Sequence, residues 1–169
     1  MVQEIAQAIV RQAKEECAQD IYFVPKDDCY ELYMRIGDER RFIQTYDFDQ
    51  LAAVISHFKF LAGMNVGEKR RSQLGSCDYR YDDKETSIRL STVGDYRGYE
   101  SLVIRLLHDE ETELKFWFTH FPELREKFKD RGLYLFSGPV GSGKTTLMHQ
   151  LAQLKFKGQQ VMSIEDPVE

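Results

Sequence analysis

One segment of the sequence has the residue types and the spacing of a phosphate-binding loop. Residues 138–145 read GPVGSGKT and match the pattern G-x-x-x-x-G-K-[ST] at every fixed position. Gly141 and Gly143 allow the backbone to turn so that successive N–H groups point at a phosphate. Lys144 is placed to reach the terminal phosphate oxygens, and the Thr145 hydroxyl to ligate Mg²⁺. The segment therefore predicts nucleotide binding.

A glycine-rich turn could match this pattern by chance, so the flanking residues matter. The run before it, Leu133–Ser137, is apolar and typical of a buried strand, whereas Lys144–Lys157 after it has helical character. This context favours a functional loop. Its predicted nucleotide-binding residues are Gly138, Pro139, Val140, Gly141, Ser142, Gly143, Lys144, Thr145 and Thr146.

A second motif follows another apolar run. Gln160–Ile164 is a candidate buried strand, and residues 165–169 after it read EDPVE. Acidic residues at the carboxyl end of a parallel strand beside a phosphate loop lie where Mg²⁺ or an attacking water would be. A solvated acidic turn before a proline is an equal alternative on spacing alone. Strand, loop, helix and strand open a parallel α/β sheet, and because one such unit leaves its sheet uncovered, we expect a longer parent protein.

The residues that precede this unit predict a small α+β domain over 1–107. Apolar residues recur at helical spacing in the first segment, and short alternating segments then predict an antiparallel meander with one buried face. Asp47 and Gln50 fit a capping box for a second helix, which Gly63 is placed to stop. The predicted strands are Ile21–Val24, Tyr30–Ile36, Arg41–Tyr46, Cys77–Tyr81, Ser87–Thr92 and Ser101–Leu107.

Residues 108–131 are charge-dense, and we predict a linker that carries helical segments. The whole chain has 169 residues, which suits one domain or two small ones. Its hydrophobic share of 42% excludes a disordered protein. No apolar run approaches the length of a membrane span, and no cleavable signal pattern is present, so we expect a cytosolic protein.

The charge and the cysteines exclude further classes. Lys and Arg number 23 against 28 Asp and Glu, a formal charge of −5, which argues against a dedicated nucleic-acid surface. The three cysteines form no CxxC pair and indicate neither a disulfide framework nor a zinc site. Lys69, Arg70 and Arg71 could bind a polyanion, but such a run is more often a solvated face.

Several motifs in series resemble the secretion and pilus-assembly ATPase superfamily, which includes type II secretion, type IV pilus and competence-pilus motors. The resemblance covers nearly the whole chain from Asp20 onward, and the short region before it looks most like the compact motor of Gram-positive competence pili. Tyr22 stands where the family's opening motif has histidine. The matching segments are QDIYFVP (19–25), YMRIGDE (33–39), EKRRSQLG (68–75), SIRLST (87–92), LVIRLL (102–107), GLYLFSGPVGSGKTT (132–146) and SIEDPVE (163–169).

The resemblance implies a fold and residue roles. It implies an α+β N-terminal domain followed by the start of a RecA-like P-loop ATPase domain over 132–169. Glu165 would polarise the attacking water, and Asp166 would support it and share Mg²⁺ with Thr145. Arg89 and Arg105 match arginines that stabilise charge on the transferring phosphoryl group, a role that suits guanidinium. From the residues alone, the favoured interpretation of each is an outward polar residue on an amphipathic strand.

The resemblance also implies a function. The family hydrolyses ATP with Mg²⁺ in a hexameric homo-oligomer, and hydrolysis moves one domain against the other. This motion acts on a polytopic membrane platform protein and so drives pilin subunits into or out of the membrane. We expect a cytoplasmic motor held peripherally at the inner face of the membrane, serving a competence pilus for DNA uptake without contacting nucleic acid itself. Alternatives are a type II secretion or retraction ATPase, or, for these residues alone, a non-hydrolysing partner-binding module. The family's Walker B segment would follow Glu169, so we expect this chain to hydrolyse ATP weakly or not at all.

Overall fold

The computed structural model describes residues 1–107, 121–129, 131–139 and 141–164, apart from the side chain of Arg125. The chain divides into two compact units, Met1–Glu111 and Thr112–Glu169. The elements in chain order are α1 (Val2–Glu15), β1 (Asp20–Pro25), β2 (Cys29–Ile36), β3 (Glu39–Asp47), α2 (Phe48–Leu61), β4 (Gln73–Tyr81), β5 (Lys84–Gly94), β6 (Glu100–Leu106), α3 (Phe121–Lys127) and α4 (Lys144–Lys155).

The first unit contains a six-stranded antiparallel sheet in the order β3-β2-β1-β6-β5-β4. Strands β1 to β3 form one meander and β4 to β6 another, and the two meet where β1 pairs with β6. Tight turns connect most neighbours, as at Asp82, where the backbone between β4 and β5 has a φ of 52°. The predicted α+β domain with antiparallel strands is confirmed.

Both helices of this unit pack on one face of the sheet. In α1 the buried residues Ala6, Ile9, Val10 and Ala13 recur at helical spacing, and in α2 they include Leu51, Ile55 and Phe58. The strands bury alternate residues against them, so that the other face carries the polar positions. The prediction of a sheet with one buried face is therefore confirmed.

The start of α2 differs from the expectation, whereas its end agrees. Asp47 is the N-cap residue, but its side chain makes no capping hydrogen bond, so the predicted capping box is wrong. Asp47 is also the last residue of β3, where pairing with Cys29 sets its backbone. After the helix, Gly63 has a φ of 66°, the left-handed conformation expected of a glycine that stops a helix.

A buried ion pair joins α2 to the strands. The side chain of Lys59 is fully buried, and its Nζ donates to Glu100 Oε1 at 2.6 Å and to the Glu68 carbonyl at 2.7 Å. The Gln73 amide donates to the same Glu68 carbonyl at 2.9 Å. One ammonium group therefore ties together the helix, strand β6 and the loop that leads into β4.

The second unit contains α3 and α4, and the predicted helix after the phosphate loop is confirmed by α4. The two predicted buried strands are wrong: 133–137 and 160–164 have no strand pairing, and Leu133, Leu135 and Ile164 are more than 89% exposed. A strand is stable only when its N–H and C=O groups find a partner, and the described residues provide none here. No described helix has the length and apolar character to cross a bilayer.

Candidate functional site

The phosphate loop between Ser137 and α4 adopts the backbone that its glycines predict. Gly141 and Gly143 have φ values of 78° and 81°, in the region that other residues rarely occupy. The Ser142 N–H donates to the Pro139 carbonyl at 3.3 Å and closes the turn. Gly143 then serves as the N-cap of α4, with no side chain capping the helix. The first N–H groups of α4 are consequently available to an anion.

Side chains around the loop complete this arrangement. A Cβ on Gly138 would lie 2.9 Å from Ser142 Oγ, so this position favours glycine. Lys144 Nζ donates to the Pro139 carbonyl at 2.7 Å, which holds the ammonium group over the loop. Thr145 and Thr146 are exposed in the first turn of α4. The residues therefore fit a phosphate chain, with a positive charge, backbone donors and a hydroxyl on one surface.

A cavity of about 790 Å³ adjoins the loop within the second unit. Its walls include Phe128, Tyr134 and Leu147, together with the loop residues 138–139 and 141–144. The Phe128 and Tyr134 rings have centroids 4.2 Å apart. A volume of this size is within the range of small-molecule sites, which combine apolar walls with a few polar groups.

Three predicted site residues lie outside the described part of the chain. These are Val140 in the loop and the two acidic residues Glu165 and Asp166. Within the described residues, no cluster of three or more His, Cys, Asp and Glu side chains could hold a metal ion. The Thr145 hydroxyl is the described group that the sequence predicts as a Mg²⁺ ligand, and Mg²⁺ typically takes few protein ligands besides phosphate and water.

Arg89 and Arg105 are brought together by the sheet of the first unit. They are direct partners across β5 and β6, on the face that the helices leave open. The same line across the sheet continues through residues that the sequence analysis did not single out. We call this line the arginine row, and in strand order it contains Arg40, Arg35, Asp20, Arg105, Arg89 and Ser76.

Asp20 is the only acidic residue of the arginine row and is almost fully buried, at 2% exposure. Its Oδ2 accepts from Arg35 Nη2 at 2.6 Å and from the Tyr22 hydroxyl at 3.2 Å, and its Oδ1 accepts from Arg105 Nε at 3.0 Å. Arg40 stacks over the Tyr22 ring at 4.8 Å. Burial and the Asp20 charge raise the pKa of Tyr22, so this hydroxyl stays protonated and donates.

The arginine row has an excess of positive charge. It contains four guanidinium groups and the Asp20 carboxylate, which contacts Arg35 and Arg105, and the formal charge of these five side chains is 4 − 1 = +3. Like charges directly opposite each other destabilise a sheet, and a polyanion would relieve that repulsion. The guanidinium groups on this open face are donors whose planar arrangement matches phosphate oxygens. The sequence analysis did not single out Asp20, Arg35 and Arg40. Each lies on the same face of the sheet as Arg105, but only the strand register shows that they form one line.

Comparisons with known proteins show a matching family and several relatives. A family model described as type II/IV secretion system protein matches residues 1–169. Competence protein ComGA of Streptococcus pneumoniae is 73% identical over 169 residues, which is 100% of this chain and 54% of that protein. Type IV pilus assembly ATPase PilB of Thermus thermophilus is 33% identical over 99% of this chain and 20% of its own length.

A solved structure shows the same fold. The ATPase DotB of Legionella pneumophila superposes with a TM-score of 0.58 at 14% identity, covering 86% of this chain and 40% of that one. This likeness confirms the predicted fold class, a mixed α/β structure that opens with a small α+β domain. The chain spans about half the length of the ComGA relatives it matches. The predicted resemblance is thus confirmed, and the chain belongs to the family of type II/IV secretion system proteins.

Proposed function

We propose that these residues form the nucleotide-binding front portion of a motor ATPase that powers assembly of a competence pilus. The observation that carries this proposal is the phosphate loop, whose Gly141 and Gly143 take left-handed conformations directly before α4. The 73% identity to a competence protein over the whole chain supports the choice of competence among the processes that the family serves.

In the proposed site, the loop N–H groups and Lys144 bind the phosphates of ATP. When bound, Mg²⁺ supplies charge neutralisation at the phosphate oxygens, and Thr145 and Asp166 are its proposed protein ligands. Glu165 is the proposed residue that orients the attacking water. Because this chemistry is almost entirely positioning and electrostatic stabilisation, the number of donors around the phosphates matters more than any single side chain.

The arginine row supplies the remaining positive charge in this proposal. Arg89 and Arg105 contact the nucleotide and stabilise negative charge that develops on the transferring phosphoryl group. Their support is the register of the sheet, which places Arg89 and Arg105 opposite each other on its open face, with Arg105 also paired to Asp20. A guanidinium group suits this role because its planar set of donors matches phosphate oxygens.

The proposed assembly and location follow the family. We propose a hexameric homo-oligomer that works with a polytopic platform protein and pilin subunits, bound peripherally at the inner face of the membrane. The names of the relatives, a competence protein and a type IV pilus assembly ATPase, support this assignment. Direct contact with nucleic acid is not part of the proposal, since the chain carries a net charge of −5.

The first experiment measures binding of a fluorescent ATP analogue to the 169-residue chain, with and without Mg²⁺. We expect Lys144→Ala to weaken binding at least about tenfold, since a charge-assisted phosphate contact is worth roughly 1.5–3 kcal/mol. Binding of the analogue to Thr145→Ala should no longer depend on Mg²⁺. The matched control is Lys157→Ala, which removes an exposed lysine shortly after α4. Equal binding by Lys144→Ala and Lys157→Ala would reject the phosphate loop as the site.

A further inference from the structure

We propose that Asp20 is a positioning residue, which holds the guanidinium group of Arg105 in the orientation needed for phosphate contact. This inference rests on the proposed function, in which Arg105 stabilises the transferring phosphoryl group. Asp20 itself touches neither the nucleotide nor the reacting atoms. Its action is through the two arginines that it binds.

The contacts of Asp20 divide the two arginines into different roles. Arg35 gives a terminal nitrogen, Nη2, to the carboxylate at 2.6 Å, and its side chain is 21% exposed. Arg105 instead uses Nε, the nitrogen nearest its aliphatic stem, at 3.0 Å, and its side chain is 44% exposed. A bond at Nε fixes the direction of the guanidinium plane without engaging the terminal nitrogens with Asp20. Arg35 therefore fixes the position of the Asp20 carboxylate, and the carboxylate in turn orients the guanidinium group of Arg105.

The charges of the arginine row explain why a carboxylate is useful at this position. Arg105 faces Arg89 directly across the strands, and Arg35 faces Arg40, so each arginine has a like charge as neighbour. Asp20 offsets this repulsion for the two arginines that it contacts. An arginine loses less free energy on binding phosphate when it is already oriented, because its rotamer entropy has been given up beforehand.

Tyr22 strengthens this arrangement from the neighbouring position on β1. Its hydroxyl donates to Asp20 Oδ2, the oxygen that also accepts from Arg35. The Arg40 guanidinium carbon stacks over the Tyr22 ring, 4.8 Å from its centroid. Both carboxylate oxygens of Asp20 are thus engaged, and the carboxylate cannot rotate to release Arg105 without breaking a second hydrogen bond.

The test is a double-mutant cycle on turnover by the full-length protein that contains these residues. Asp20→Asn keeps the shape of the side chain but replaces one acceptor oxygen with a donor. We expect kcat to fall about tenfold with KM within about twofold, because misplacing a catalytic group by about 1 Å costs up to a hundredfold. In the Arg105→Gln background, Asp20→Asn should have no further effect. Asp78→Asn removes an exposed carboxylate of β4 outside the arginine row and should leave kcat unchanged.

The outcomes separate this inference from the proposed function. If Arg105→Gln leaves kcat unchanged, the proposed role of the arginine itself is wrong. If Arg105→Gln lowers kcat but Asp20→Asn does not, only the positioning role is overturned. Additive losses in the double variant would also overturn it, since Asp20 would then act independently of Arg105.

A second measurement needs no variant and covers the case in which Asp20→Asn fails to fold. The Arg105 Nε–H of the 169-residue chain can be observed by nitrogen-15 NMR. A guanidinium held by Asp20 should exchange this proton at least about tenfold more slowly than the exposed Arg70. Equal exchange rates at the two side chains would show that Asp20 does not hold Arg105 and would overturn the proposal.

Discussion

Replacing Lys59 with methionine should destabilise the first unit strongly, although the two side chains have similar length and shape. The change leaves the Glu100 carboxylate, which is 5% exposed, without its cation, and the Glu68 carbonyl without the ammonium donor. Breaking a buried pair by removing one partner costs about 3–5 kcal/mol. For a domain of roughly 100 residues, 1 kcal/mol shifts Tm by about 4 °C or more, so we expect Tm to fall by about 12–20 °C.

The assay is urea unfolding and thermal melting of the wild-type chain and three variants. Lys59→Met combined with Glu100→Leu removes both charges and should recover most of the loss, because well-packed apolar residues can replace a buried pair at little cost. Lys26→Met breaks the exposed pair with Glu31 and should leave the urea midpoint nearly unchanged. A loss below about 1 kcal/mol for Lys59→Met alone would refute the reasoning, since no buried charge would then have been stranded.

Three further predictions concern the first unit. Burial lowers the pKa of His57 from its ordinary 6.5, so the folded chain resists protonation of this side chain. The free energy of unfolding should therefore decline as pH falls below 6.5. Urea titrations of His57→Gln should show a smaller decline over the same pH range. Burial raises the pKa of Tyr79 from 10.0 to about 12, so stability should decline as pH rises between these values. Tyr79→Phe should show a smaller decline. Alkaline titrations followed by circular dichroism measure both. A Cβ on Gly94 would overlap the Lys69 carbonyl, so Gly94→Ala should cost about 1–3 kcal/mol in urea unfolding. Gly67→Ala, where the added carbon has ordinary contacts, should cost less, and equal costs would contradict this explanation.

Local patterns predict the elements of the first unit well. The helical spacing of Ile5 and Ile9 and the strand alternation around Leu32 follow from burial on one face, which depends only on nearby residues. The two strands predicted in the second unit are wrong because strand formation depends on distant residues as well as nearby ones. An apolar run such as Leu133–Ser137 indicates what could be buried, but a strand also needs a pairing partner, and local sequence does not reveal one.

The two parts of the candidate site differ in the same way. The phosphate loop is encoded within a few consecutive residues, so its glycine conformations are predictable from the motif alone. The arginine row depends on register across six strands. Asp20 and Arg105 are 85 positions apart, and only the pairing of β1 with β6 places them side by side. For this reason Asp20, Arg35 and Arg40 escaped the sequence analysis.

The pairing of β1 with β6 also has a consequence for folding kinetics. Each three-stranded meander can form through short turns, whereas the central pairing must close a loop that contains α2 and most of the other strands. Non-local pairings of this kind form late and slow the folding rate. A chain arrested before that step exposes the unpaired edges of β1 and β6, which are templates for pairing with a second chain. Conditions that weaken the central pairing should therefore promote aggregation before complete unfolding.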